Sequence, residues 1–134
     1  MEKNFKMKEV RYSNVEGVQM CTGYRASLKI GDTEVSYAEV DYFGDIAKVD
    51  WIETYEEHRQ KGYAVHLMQE ILNFIVSLEK DTYTAVYVVP QHVGTDSICI
   101  KLGFKEIPNS DFCQAFEVEC EDGEEDEVIY VKYI

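Results

Sequence analysis

Arg59-Gln60-Lys61-Gly62-Tyr63-Ala64 is where this chain changes texture, and the reading of the fold turns on it. From Tyr63 onward, Ala64, Leu67, Met68, Ile71, Phe74, Ile75 and Leu78 recur at spacings of three and four. That spacing lays them along one stripe of a helix of about four turns, packed on a sheet. Before Arg59 the text reads as strands. Lys8 to Ser13, Val18 to Ile30, Glu34 to Phe43 and Ile46 to Thr54 form four runs, and Gly31-Asp32 and Gly44-Asp45 supply residues that hairpin turns favour at positive φ. An antiparallel meander is expected.

Beyond the long helix, Thr82 to Val89 is a continuous apolar run rich in Val and Tyr, the pattern of a central strand covered on both faces. Pro90 ends it, because proline has no N–H for the ladder. Gly94 to Leu102 reads as a short helix with Gly103 as its stop, and Phe112 to Cys120 and Val128 to Ile134 read as closing strands. The predicted order is β-β-β-β-α-β-α-β-β, an α+β chain whose helical crossover after the fourth strand allows one parallel pairing. The length of 134 residues fits a single domain over 1–134.

Composition narrows the function classes. Against 13 Lys and Arg stand 26 Asp and Glu, a formal charge of -13 that repels phosphate backbones and anionic lipid, so neither nucleic acid nor membrane is an expected partner. No apolar run reaches the roughly 20 residues that span a bilayer, and MEKNFKMKEV lacks the apolar core of a signal peptide. A soluble, cytoplasmic protein is expected. Cys21, Cys99, Cys113 and Cys120 form no C-x-x-C pair, a pattern that suits reduced thiols. His58, His66 and His92 show no metal-ligand spacing, and no metal site is expected. Glu106 to Val131 holds ten carboxylates and no Lys or Arg. Such a field either concentrates cationic amines or serves as a solubilising surface.

The loop from Arg59 to Ala64 has a chemistry of its own. A glycine between a strand and a helix lets backbone approach a ligand, and first-turn amides have no intrahelical acceptors, so they can hold an anion such as a pyrophosphate. Taken alone, the same text suits an ordinary helix start with Arg59 and Lys61 solvated. Its R-x-x-G-x-A pattern, however, resembles the signature of the GNAT superfamily of acyl-coenzyme A dependent N-acetyltransferases. Ile98-Cys99-Ile100-Lys101-Leu102-Gly103-Phe104 is similar to the family's L-Y-x-K-L-G-F, and Gly62 to Met68 is similar to the loop-helix text of histone-type members. The resemblance covers about Ile46 to Glu106. It implies a GNAT-like mixed, mainly antiparallel sheet with splayed central strands and two main helices. The family's early helices are reduced or absent, because only Asn14 to Gly17 separate Ser13 from Val18.

The resemblance also implies a reaction, the transfer of acetyl from acetyl-CoA, the acyl-donor cosubstrate, to a primary amine by direct attack. Polyamines, other amino compounds and protein lysines are the acceptor classes it suggests. Matched without gaps, Ile52, Glu53 and Thr54 would hold the pantetheine arm, and Arg59, Gln60, Lys61, Gly62, Tyr63, Ala64 and Val65 the pyrophosphate. His92 stands where an Asn is often found after the fifth strand, as a substitute for it toward the cofactor or as a surface loop residue. Lys48 occupies the place of the base Glu of histone-type members. Asp50 is then the first candidate base and Glu53 the second, with Glu39 and Asp41 reaching through water as further candidates; Asp50 ion-paired with Lys48 is the competing reading. Cys99 replaces the Tyr that protonates the departing thiolate, and is either an acid in its place or a small buried residue. Two other functions stay open, a coenzyme-binding module without turnover and an acidic protein-interaction module. A strand edge near the C-terminus offers a way to pair two subunits into a homodimer.

Overall fold

The computed structural model describes residues 2–43, 46–77, 85–88, 94–115 and 128–133. Strands β1 (Lys3–Val15) and β2 (Val18–Ile30) meet directly through Glu16 and Gly17, both at positive φ (52° and 80°), as a tight hairpin turn requires. No helix separates them, in line with the expectation. Strands β3 (Thr33–Phe43) and β4 (Ile46–Thr54) continue the antiparallel meander. A 3-10 turn at Glu56–His58 leads to helix α1 (Tyr63–Ser77), which crosses over to β5 (Ala85–Val88). Helix α2 (Thr95–Lys101), strand β6 (Lys105–Pro108), helix α3 (Asn109–Ala115) and strand β7 (Val128–Tyr133) complete a seven-stranded sheet of order β1-β2-β3-β4-β5-β7-β6. Among the described residues only β4 and β5 run parallel, and β5 is interior, as its apolar run predicted.

Three expectations are corrected. Phe112 to Ala115 lie in α3 rather than in a strand starting at Phe112, and the remainder of that predicted strand falls outside the described residues. Phe112 and Cys113 are neighbours that are both buried, which a helix resting on the sheet achieves and strand alternation does not. The sixth strand is instead Lys105–Pro108, and α3 is a third α-helix where two were foreseen. Finally, Cys113 is disulfide-bonded, against the expectation of reduced thiols, whereas Cys99 is free. Among the described residues no helix is long and apolar enough to cross a membrane, and no cluster of His, Cys, Asp or Glu could hold a metal ion.

The sheet is covered on both faces. Leu67, Met68, Ile71, Leu72 and Ile75 of α1, with Cys99 of α2, bury against Leu28, Val40, Val49 and Val86. On the opposite face Phe112 and Cys113 meet Ile46, Ala85, Ile129 and Val131. Two breaks in regularity shape the far end of β4. Val49 pairs with Val40 but Trp51 pairs with Glu39, so Asp50 is the extra residue of a β-bulge, and Ala47, Val49 and Ile52 share one core although 49 and 52 differ in parity. In addition, β4 pairs with β5 only from Ile46 to Val49, and its last five residues, Asp50–Thr54, have no β5 partner among the described residues.

Gly103 closes α2 at φ +84°, and a Cβ there would meet Lys132 Nζ at 3.1 Å, the group that donates to Leu102 O at 2.9 Å. Gly103→Ala therefore combines left-handed strain with displacement of a C-terminal cap. It is expected to destabilise the fold by about 1–2 kcal/mol, read as a lower urea midpoint at unchanged slope.

Candidate functional site

Along one edge the main chain at the end of β4 has no strand partner among the described residues. Tyr55 N donates to Val35 O at 3.0 Å and Ser36 Oγ to Glu53 O at 2.8 Å, so Glu53 and Tyr55 direct their backbone groups toward β3. By strand alternation Ile52 and Thr54 direct theirs the other way, toward the edge where β4 has no β5 partner among the described residues. The chain then turns over this edge. Gln60 and Gly62 adopt φ +63° and +78°, and His66 N donates to Gly62 O at 3.0 Å, closing the first bond of α1 on Gly62. The amides of Tyr63, Ala64 and Val65 are left without intrahelical acceptors, and a Cβ on Gly62 would meet nothing within 4 Å. Arg59 Nε donates to Thr54 O at 2.9 Å, which ties this loop to the end of the strand.

A cleft of about 720 Å³ results, within the size range of small-molecule sites. Its floor is Ile52, Glu53 and Thr54; its near wall is His58, Arg59, Gln60 and Gly62 with Tyr63, Ala64 and Val65; its far wall is Gly94, just before α2, with Thr95, Ser97, Ile98 and Lys101 of α2. Among the described lining residues Arg59 and Lys101 are cationic and Glu53 alone is acidic, so the cleft is locally cationic in a chain of formal charge -13. Cationic side chains beside the open amides of a fifteen-residue helix favour an anion.

No protein-family model and no curated protein matches the sequence. Solved structures do match in three dimensions. A GNAT-family acetyltransferase from Staphylococcus aureus Mu50 superposes with a TM-score of 0.63 at 12% identity, over 83% of this chain and 68% of that one. The PaiA N-acetyltransferase of Thermoplasma acidophilum, in complex with coenzyme A, gives 0.61 at 16% identity over 85% and 62%. An acetyltransferase from Thermus thermophilus gives 0.57 at 17% over 84% and 65%. This chain has the GNAT fold. It spans less than two thirds of the Thermus and Thermoplasma proteins.

Within this GNAT fold the structure sorts the residues singled out from the sequence. Ile52, Glu53, Thr54, Arg59, Gln60, Gly62, Tyr63, Ala64 and Val65 all line the cleft. Lys61 is exposed and outside the lining. His92 lies outside the described residues. Asp50, at the bulge, is not part of the lining; its Oδ1 pairs with Lys48 Nζ at 3.1 Å, and its buried Oδ2 has no hydrogen-bond partner among the described residues. Glu39 and Asp41 on β3 are half-buried and also outside it. Cys99 is fully buried in the core against α1, and burial, with Asp96 adding to it, pushes its thiol up to about 12. The small-buried-residue reading describes it, because helical spacing turns Gly94, Ser97, Ile98 and Lys101 to the cleft and Cys99 away.

Lys101, Ser97, Ile98, Thr95, Gly94 and His58 are cleft residues that the sequence reading missed. The spacing 94, 97, 98, 101 was the available signal for α2, but nothing local says that its stripe faces the loop before α1.

Behind the floor lies a polar cluster on the sheet face opposite α1. Arg25 Nη1 and Nη2 donate to Glu34 Oε1 and Oε2 at 2.6 and 2.9 Å, and the guanidinium sits 4.5 Å over the Tyr37 ring. Tyr55 donates to Glu34 Oε2 at 2.7 Å and Tyr37 to Glu53 Oε2 at 2.9 Å. The Arg25 hydrogen bonds hold the Glu34 carboxyl below the ordinary carboxylate range, against the opposing effect of its burial. A lowered carboxyl stabilises the fold fully above about pH 4.3 and loses that contribution as pH falls through the folded value. Glu34→Gln is accordingly expected to be less stable than wild type at pH 7, with the gap in urea midpoint closing in acid; a gap independent of pH would contradict this. Partial exposure of both partners keeps the effect modest.

Proposed function

We propose that this protein is an N-acetyltransferase that moves an acetyl group from acetyl-CoA to a primary amine by direct attack in a ternary complex. The observation that carries the reading is the end of β4, without a β5 partner among the described residues, beside the open amides of α1 in one cationic cleft. The amides of Tyr63, Ala64 and Val65 hold the pyrophosphate, joined by Arg59 and Lys101. The main-chain groups of Ile52 and the N–H of Thr54 pair with the amide-bearing pantetheine arm as an adjacent strand would, while the Thr54 carbonyl is held by Arg59. Bound there, acetyl-CoA supplies an activated thioester. A backbone N–H at this edge of β4 stabilises the negative charge that develops on the carbonyl oxygen only during attack.

Glu53 serves as the base, since it is the carboxylate of the cleft floor. An alkylammonium has an ordinary pKa near ~10.4 and must lose a proton before its nitrogen can attack. Glu53 takes that proton, the carbon–nitrogen bond forms, and the carbon–sulfur bond breaks. The departing thiolate belongs to a thiol of pKa about 8.5 and needs little help from an acid, so Cys99 has no part in the step. The formal charge of -13 favours cationic acceptors such as polyamines or lysine-rich segments.

A second reading, coenzyme binding without turnover, is favoured by the burial of Cys99 where the resemblance placed an acid. One assay separates the two. Incubation with acetyl-CoA and a panel of polyamines, aminoglycoside-like amines and lysine peptides is expected to release free thiol and add one acetyl mass to an amine. Coenzyme binding with no acetylated product across the panel would select the second reading.

A further inference from the structure

We propose that Tyr37 is the positioning residue for Glu53, held in turn by the Arg25–Glu34 clamp, so that the base at the end of β4 is fixed on the sheet face opposite α1. This deepens the acetyltransferase reading and rests on it. Glu53 lines the end of β4 at the cleft, and its side chain lies on the Tyr37 face of the sheet, opposite Tyr37 in register, where its Oε2 accepts the Tyr37 hydroxyl at 2.9 Å. A carboxylate on a strand end has two free side-chain torsions beyond its first; a hydroxyl donor on one oxygen restricts them and leaves the other oxygen for the amine. Burial, reinforced by the Glu53 carboxylate, pushes the Tyr37 phenol up, so it remains a donor throughout the working pH range.

Tyr37 itself is immobilised. The Arg25 guanidinium covers its ring at 4.5 Å, and the Tyr55 ring lies 5.7 Å away, tilted by 37°. Arg25 is fixed by a two-pronged pair with Glu34, and Glu34 also accepts from Tyr55, the residue from which the 3-10 turn leads to Arg59 and Gly62. One cluster therefore anchors both the base on the floor and the start of the anion-binding loop. Arg25 and Glu34 are neutralised by each other inside the cluster, so its outward effect on the cleft is geometric.

The test is a double-mutant cycle on turnover. Tyr37→Phe keeps the ring under Arg25 and removes only the hydroxyl; kcat is expected to fall about tenfold with acetyl-CoA affinity unchanged. Tyr37→Phe added to Glu53→Gln is expected to cost nothing further in turnover, because on this proposal the hydroxyl reaches the chemistry through that carboxylate, its bond with Trp51 being a contact of the cluster itself. A Tyr37→Phe enzyme as fast as wild type overturns the proposal, as do losses that simply multiply in the double variant, since those describe general loosening. A wild type that binds acetyl-CoA but acetylates nothing overturns the acetyltransferase reading and this role with it.

Discussion

Glu53→Gln is expected to lower turnover by about 10²–10⁴-fold at neutral pH while leaving acetyl-CoA affinity in place. Glutamine preserves the size of the side chain and an acceptor oxygen for Tyr37, so the floor of the cleft keeps its shape. What is lost is the proton acceptor. At pH 7 only about one alkylamine in a thousand or more is unprotonated, given an ordinary pKa near ~10.4. The variant must draw on that fraction, and its rate should climb with pH more steeply than that of wild type. Asp50→Asn is the informative companion, because Asp50 is the first candidate from sequence and lies at the bulge beside Lys48. Full wild-type turnover in Glu53→Gln together with collapse in Asp50→Asn would transfer the base to Asp50.

The second large effect falls on binding. Gly62→Val places a β-branched residue at φ +78°, where such residues are steric outliers at a cost of roughly 1–2 kcal/mol. The unliganded protein has room for the new atoms, since a Cβ there meets nothing within 4 Å. The damage is to the ligand. Added bulk occupies the open space in front of the first-turn amides, and relief of the strain turns Tyr63, Ala64 and Val65 away from it. With hydrogen bonds to a charged group contributing about 1.5–3 kcal/mol each, loss of one or two corresponds to about a hundredfold weaker acetyl-CoA binding by calorimetry. Affinity within a few-fold of wild type would show that the anion does not rest on this turn.

Much of this architecture was legible because its signals are periodic. The α1 stripe and the β2–β4 alternation each repeat over enough residues to fix an element and its buried face, and Gly62 stood at the junction. The failures occur where the pattern is short or the partner distant. Of β6 only Ile107 is partly buried, so four residues carried no alternation to read. Phe112-Cys113 is an apolar pair that suits helix or strand until Pro108 and the polar Asn109-Ser110-Asp111 are seen to start α3. The bulge at Asp50 reverses the parity of β4 without any glycine or proline to announce it, which is why sequence alone ranks Asp50 above Glu53. The far wall of the cleft and the Tyr37 clamp are tertiary facts. Tyr37 and Glu53 are sixteen positions apart and meet only through strand register.

The central claim is that the open end of β4 and the first turn of α1 form one acetyl-CoA site, and thermal unfolding tests it most directly. Acetyl-CoA at about 100 times its dissociation constant stabilises a native state by roughly 2.7 kcal/mol, which in a chain of this size raises Tm by several degrees. That rise is predicted for wild type and predicted to disappear at the same concentration in Gly62→Val, each protein being compared with its own unliganded Tm. No shift of wild type at millimolar acetyl-CoA, or an equal shift in both proteins, would contradict the account.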